Sequence, residues 1–204
     1  MSEFEKLTEL FRKFPGIGIR QAQRFSHFIV RQDDSYVREL VTSLEKTKSA
    51  ARFCSRCQKL SFSVNNENVC SICSSAHRDQ TVIMVVEKDA DLDHIEQSGV
   101  YNGQYFVLGG VLATRQGSRK ESIRLVEMEE TLKFYLDKGL EEIVLALSLT
   151  PEGENTNDYL SKKIRSFKGG KKLKISTLGR GLSVGSELEY SDKDTLRYAL
   201  SSRK

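Results

Sequence analysis

Tryptophan is absent from this chain of 204 residues, proline occurs twice, histidine three times and cysteine four times. No apolar stretch approaches the roughly 18 residues that a membrane-spanning helix needs. The longest mainly apolar stretches lie at 82–86 and 105–113, so no membrane span is expected. The opening MSEFEKLTEL lacks the basic head and apolar run of a secretory signal. The expected compartment is therefore the cytoplasm. A hydrophobic fraction of 38% is enough for an ordinary core.

Charge of one sign is also missing from one whole segment and scarce in another. The formal net charge is only +4, yet residues 87–158 carry 15 acidic and 7 basic side chains, whereas residues 159–186 carry 8 basic and no acidic ones. A polyanion is drawn to some faces of such a chain and repelled by another. The run Lys162, Lys163, Arg165, Lys168, Lys171, Lys172 and Lys174 suits phosphate binding, and equally a solvated helix face and turn. Charge alone does not separate the two.

The cysteines Cys54, Cys57, Cys70 and Cys73 read CSRC, twelve residues, then CSIC. Two residues between thiolates let each pair fold as a tight knuckle, and two knuckles complete the tetrahedral shell of a closed structural zinc site. Two disulfides do not suit a reducing cytoplasm, and a redox dithiol needs one such pair. With four sulfurs present, no coordination position stays open for water, so one structural Zn2+ per chain folds the segment and takes no part in catalysis. His77, four residues past Cys73, could substitute for a sulfur, but it is read, like His27 and His94, as a solvated or capping residue.

In FPGIGIRQAQRF, residues 14–25, apolar residues upstream (Phe4, Leu7, Leu10, Phe11, Phe14) and downstream (Ala22, Phe25, Phe28, Ile29) recur at helical spacing. Pro15 ends the first helix, and Gly16 and Gly18 give the backbone freedom to reverse. The second helix then begins with unpaired amides that a phosphate can approach across the glycines. Arg20 and Arg24, one turn apart, could contact adjoining phosphates. The stretch resembles the helix-hairpin-helix element that grips nucleic acid without reading sequence. A plain αα-hairpin fits the dodecamer as well. Val37, Leu40, Val41 and Leu44 continue the helical layer to about Lys48.

Beyond the knuckles, the apolar run Val82–Val86 ends in Glu87 and a helix start rich in Asp89, Asp91 and Asp93. Strand-like runs at 105–110, 142–149 and 172–176 alternate with helical stretches near 121–138 and 156–168, which predicts a parallel α/β sheet. Ligands of such sheets sit at the carboxyl ends of strands. The arrangement resembles the Toprim domain of primases and topoisomerases, in which a glutamate and an Asp-x-Asp pair hold magnesium. Glu87 matches the glutamate. Ser148 and Thr150 stand where the aspartates are expected, followed by Glu152 and Glu154, and two hydroxyls replace carboxylates poorly around a hard cation. No tyrosine nucleophile is identifiable. The fold is read as retained and the catalysis as lost.

These parts, in this order, resemble the RecR family of bacterial recombination mediators over nearly the whole chain: FPGIGIRQAQRF, CSRC with CSIC, VVEKDADLDHIEQSG, YFVLGG, PEGENTNDYL and GRGLSVGSELEYSDKDTLRYAL. Departures from the family pattern fall at Ile19, Ser148, Leu149, Ser183 and Ser186 and in the linker 111–125. The expected fold is multidomain α and α/β: a helix-hairpin-helix domain at 1–53, a four-cysteine zinc finger at 54–78, a Toprim-like domain at 79–176, and a carboxyl-terminal segment at 177–204 for oligomer contacts.

The resemblance implies a DNA-repair protein that is not an enzyme. It would be a ring-like oligomer, typically a tetramer, that acts with RecO and often RecF to load RecA onto single strands covered by single-strand-binding protein. It implies sequence-independent DNA contacts at Gly16, Gly18, Arg20 and Arg24, and contacts to RecO at Glu87 and Glu152. A magnesium-dependent Toprim enzyme, nuclease or primase-like, is the alternative, and a zinc-knuckle adaptor that binds only protein is a third reading.

Overall fold

Ser2 starts the first helix, α1 (Glu3–Arg12), with a capping box: its hydroxyl accepts from the Glu5 amide, and the Glu5 carboxylate accepts from the Ser2 amide at 2.7 Å. The computed structural model describes residues 1–62, 68–112, 123–179, 181–182, 185 and 187–201. These divide into two compact units, Met1–Ala51 and Arg52–Lys204.

In the first unit, α2 (Ile19–Val30) packs against α1 and α3 (Asp34–Ala50) follows. Small residues let α1 and α2 approach closely. The Thr8 and Ser26 hydroxyls meet at 2.8 Å beside the buried Ala22, and their oxygens lie 2.9 and 3.1 Å from the Phe4 and Ala22 carbonyls of their own helices, so that one hydroxyl donates across the pair while the other donates back to its helix. The Phe11 and Phe25 rings close the gap edge-on at 5.7 Å. Asp33 caps α3 by accepting from the Tyr36 amide at 2.8 Å.

The second unit opens with a short antiparallel pair, β1 (Arg52–Phe53) and β2 (Leu60–Ser61), then the one-turn helix α4 (Ser71–Ser74). There follow β3 (Val82–Val86), α5 (Asp89–Ser98), β4 (Gln104–Val107), α6 (Leu125–Leu136), β5 (Glu142–Ala146), α7 (Pro151–Ser166), β6 (Lys174–Thr177) and α8 (Lys193–Ser201). The four long strands pair in parallel in the order β4-β3-β5-β6. That is the predicted α/β sheet.

Period-two alternation along β3 sends Ile83 and Val85 to one face and Met84 and Val86 to the other. The first face packs on Met128, Leu132 and Tyr135 of α6 and on Leu160 and Ile164 of α7. The second packs on Leu92 and Ile95 of α5, with Ile72 of the cysteine segment. Both faces are covered, as continuous apolar strands require.

The start of one helix differs from the sequence reading. Helix α7 begins at Pro151, not near 156, because Thr150 caps it by accepting from the Gly153 amide and Pro151 sits in its first turn. Glu152 and Glu154 therefore belong to a helical first turn, where carboxylates complement the backbone dipole, rather than to a loop. The departures at Ser183 and Ser186, and linker residues 113–122, lie outside the described residues.

Candidate nucleic-acid interface and metal centre

The four thiols converge. Their sulfurs all lie within 4.8 Å of one another, with Cys54, Cys57 and Cys70 buried. Cys57 and Cys70 are 3.6 Å apart at sulfur, close to the roughly 3.8 Å edge of a tetrahedron whose metal–sulfur bonds are about 2.3 Å. The Cys70 amide donates to the Cys54 sulfur at 3.3 Å, which favours a thiolate there. The donor set fits a metal ion, and Cys54, Cys57, Cys70 and Cys73 would hold it.

Gln58 and Asn68 flank the knuckles in the left-handed region at φ 59° and 57°. Asn tolerates that region, whereas Gln58 is held there at a cost. Its partner contacts show why it stays: the Gln58 carbonyl accepts from the Arg124 guanidinium at 2.8 Å, and the Gln58 amide donates to the Cys54 carbonyl at 3.0 Å.

The knuckles are built into the sheet. The Val107 amide on edge strand β4 donates to the Cys57 carbonyl at 2.8 Å, so the cysteine segment covers part of an otherwise open edge. The Thr131 hydroxyl donates to the Arg56 carbonyl at 2.6 Å, and the Arg56 guanidinium lies 3.6 Å from the Phe134 ring centre.

Two acids of α5 are spent on the same junction, and a third caps the helix itself. Asp89 accepts from the Leu60 amide at 2.7 Å, Asp93 pairs with Lys59, and Asp91 accepts from the Lys88 amide at 2.9 Å. The sequence shows these aspartates only as first-turn residues; Asp91 acts locally, but the partners of Asp89 and Asp93 lie 29 and 34 positions away along the chain.

Glu87 sits at the carboxyl end of β3, buried. Burial raises its pKa, but the Lys88 ammonium at 2.8 Å and the Ser148 hydroxyl, donating at 2.5 Å, outweigh burial and hold the carboxyl below its usual range. Lys88 was missed in the sequence, although it adjoins Glu87. One carboxylate shared with a lysine and a serine hydroxyl does not fit the magnesium seat of a catalytic Toprim domain, which needs several converging anionic oxygens. Glu152 is half-buried four residues after Ser148, in the first turn of α7.

Because the folded pKa of Glu87 is depressed, its stabilising effect is present above the unfolded value of about 4.3 and is lost as pH falls through the lower folded one. Melting temperature should thus drop below about pH 4. The drop should be shallower in Glu87→Gln. Parallel curves for the two proteins would show that the ion pair contributes nothing to acid stability.

At the hairpin, Phe14 and Ile17 close a turn, the Ile17 amide donating to the Phe14 carbonyl at 3.1 Å. Gly16 is left-handed at φ +75° and needs glycine for its backbone. Gly18 is not left-handed, and a methyl group added there would meet nothing within 4 Å. It caps α2 with no side-chain hydrogen bond, and the first turn of α2 holds no acid, so among the described residues no side-chain oxygen caps the opening amides of α2. Arg20 and Arg24 are exposed and pair with no carboxylate among the described residues.

Known proteins share these parts. Family profiles described as "RecR, helix-hairpin-helix", "Toprim domain" and "RecR, C-terminal" match residues 4–48, 81–178 and 181–204. A protein named Recombination protein RecR from Amoebophilus asiaticus is 35% identical, covering 93% of this chain and 89% of its own. Its namesakes from Lactobacillus acidophilus and Myxococcus xanthus are 36% and 35% identical over 97% and 98% of the chain. Among the described residues no helix is long and apolar enough to cross a membrane. With its helix-hairpin-helix, its four-cysteine cluster, its Toprim sheet and full-length relatives of one kind, the chain belongs to the RecR family of recombination proteins.

Proposed function

We propose that this chain is a recombination mediator of DNA repair that holds DNA without turning it over. The observation that carries the reading is the open hairpin, with uncapped amides beyond Gly16 and Gly18 and the exposed guanidinium groups of Arg20 and Arg24 on the next turns. Backbone amides and arginines contact phosphates and carry no base code, so binding is independent of sequence. A single hairpin offers few phosphate contacts and binds weakly. Several copies in a ring, a tetramer in this reading, multiply them on one strand.

In the same reading residues 1–53 grip DNA and Zn2+ on the four cysteines braces 54–78. The Toprim-like domain, 79–176, receives RecO near Glu87 and Glu152, and 177–204 joins the subunits in the cytoplasm. With RecO, and with RecF where present, the oligomer helps to load RecA onto strands covered by single-strand-binding protein. Enzymatic turnover has no place in it, since Lys88 and Ser148 occupy the carboxylate that magnesium chemistry would need.

The test is Arg20→Ala combined with Arg24→Ala. Loss of two phosphate contacts lowers DNA affinity at 0.1 M salt by roughly tenfold or more, and flattens the salt dependence by about two contacts. The melting temperature and the oligomer's mass stay unchanged. Gly18→Ala, which has room in the free protein, should cost no more than about 1 kcal/mol of stability while weakening DNA binding. Wild-type affinity in both variants would remove the hairpin from the interface.

A further inference from the structure

We propose that the basic run at the end of α7 is a second contact surface for the sugar-phosphate backbone of DNA, separate from the hairpin. Residues 159–186 carry 8 basic and no acidic side chains. Two of the run's cations have partners: Lys163 lies 5.6 Å from the Phe167 ring centre, and Lys174 pairs with Glu142 at 3.0 Å. Lys162, Arg165, Lys168, Lys171 and Lys172 remain. All five are exposed, and none forms an ion pair among the described residues. Asp158, one turn before Lys162, is exposed and makes no ion pair with it.

Helix electrostatics accounts for part of this run only. Cations favour the last turn of a helix by about 0.3–1 kcal/mol each, and the effect fades beyond that turn. Arg165 is in the last turn of α7, but Lys168, Lys171 and Lys172 lie past its end. Like charges gathered without counter-ions repel one another, so the dipole leaves the concentration of three further lysines unexplained.

Their backbone is firmly held. Gly169 is left-handed at φ +91°, and Gly170 is pressed so closely on α7 that an added Cβ would lie 1.9 Å from the Ile164 carbonyl oxygen. The short 3-10 turn Gly170–Lys172 leads into the buried Leu173. A fixed array of cations loses less entropy on binding than a mobile tail. Its charge matches a phosphate chain, and for a DNA-binding family member that chain is DNA. The inference rests on the reading that the protein binds DNA, and it adds a surface to that reading.

The experiment uses the full-length protein with a labelled duplex, titrated across a salt series. The triple variant Lys168→Gln, Lys171→Gln, Lys172→Gln lies outside every α-helix and is expected to melt like wild type. Its affinity at 0.1 M salt should fall at least about tenfold, and the slope of log K against log salt should shrink by about 2 to 3. The matching Lys→Arg triple should restore both. Affinity and slope equal to wild type would overturn the second surface while leaving the hairpin reading intact. A triple variant that loses binding to polyglutamate but not to DNA would overturn it too, in favour of an acidic protein partner. If wild type itself fails to bind DNA, both readings fall.

Discussion

Cys57→Ser is expected to release the metal and unfold the second unit. Cys57 is fully buried, and its sulfur sits 3.6 Å from that of Cys70. A serine hydroxyl there is a poor ligand for a thiolate-bound ion, and binding energy at a closed four-sulfur site is also folding energy. Losing such a site belongs to the small class of changes that cost about 4 kcal/mol or more.

The damage should spread, because the Cys57 carbonyl accepts from Val107 on edge strand β4 and the neighbouring Gln58 carbonyl holds Arg124 ahead of α6. A knuckle that comes apart takes with it the bonds that cover the sheet's edge. Metal content should fall from one ion per chain to near zero, and the melting transition of the sheet should move down with it. A strong chelator should bring wild type to the same state. Retention of both the ion and the melting temperature in Cys57→Ser would show that the cluster does not brace this fold.

What could be read from the chain depended on how local the cause was. The knuckles are written in spacings of three residues, and α1, α2 and α3 in apolar steps of three and four. Strand β3 coincides with the apolar run that ends at Glu87. The start of α7 is written locally as well, since Thr150 followed by Pro151 is a helix opening, although the apolar spacing alone places the helix near 156.

The junction between knuckles and sheet was not legible. Asp89, Asp93, Arg56 and Arg124 find partners 29 to 78 positions away. Such pairs exist only once the sheet has brought the segments together. The glycines also look alike in the sequence, yet one of them opens a surface and others close a contact. Gly18 has empty space about it, whereas Gly153 and Gly170 have none.

That contrast makes Gly153→Ala the second large effect. A Cβ on Gly153 would stand 1.9 Å from the Ser148 carbonyl oxygen and 2.9 Å from its carbon. Both are backbone atoms, which cannot swing aside as a side chain would. Helix α7 must therefore move off the loop that follows β5, although it is anchored at Leu160 and Ile164 in the core below the sheet.

Intrinsic propensity points the other way, since alanine favours a helix over glycine by about 1 kcal/mol. The overlap decides the sign, and a net loss of about 3 kcal/mol follows from backbone displacement and core strain of this kind. For a unit of this size that lowers the melting temperature by roughly 10 °C.

The same shift pulls Ser148 from Glu87, whose carboxylate it reaches at 2.5 Å, so the acid sensitivity of Glu87 should diminish in the variant as well. The cysteine cluster is built from other segments, and Gly153→Ala should keep its metal, unlike Cys57→Ser. A melting temperature at or above that of wild type would mean that α7 does not lie against Ser148 as described, and the close seating of Glu87, Lys88 and Ser148 would have to be abandoned with it.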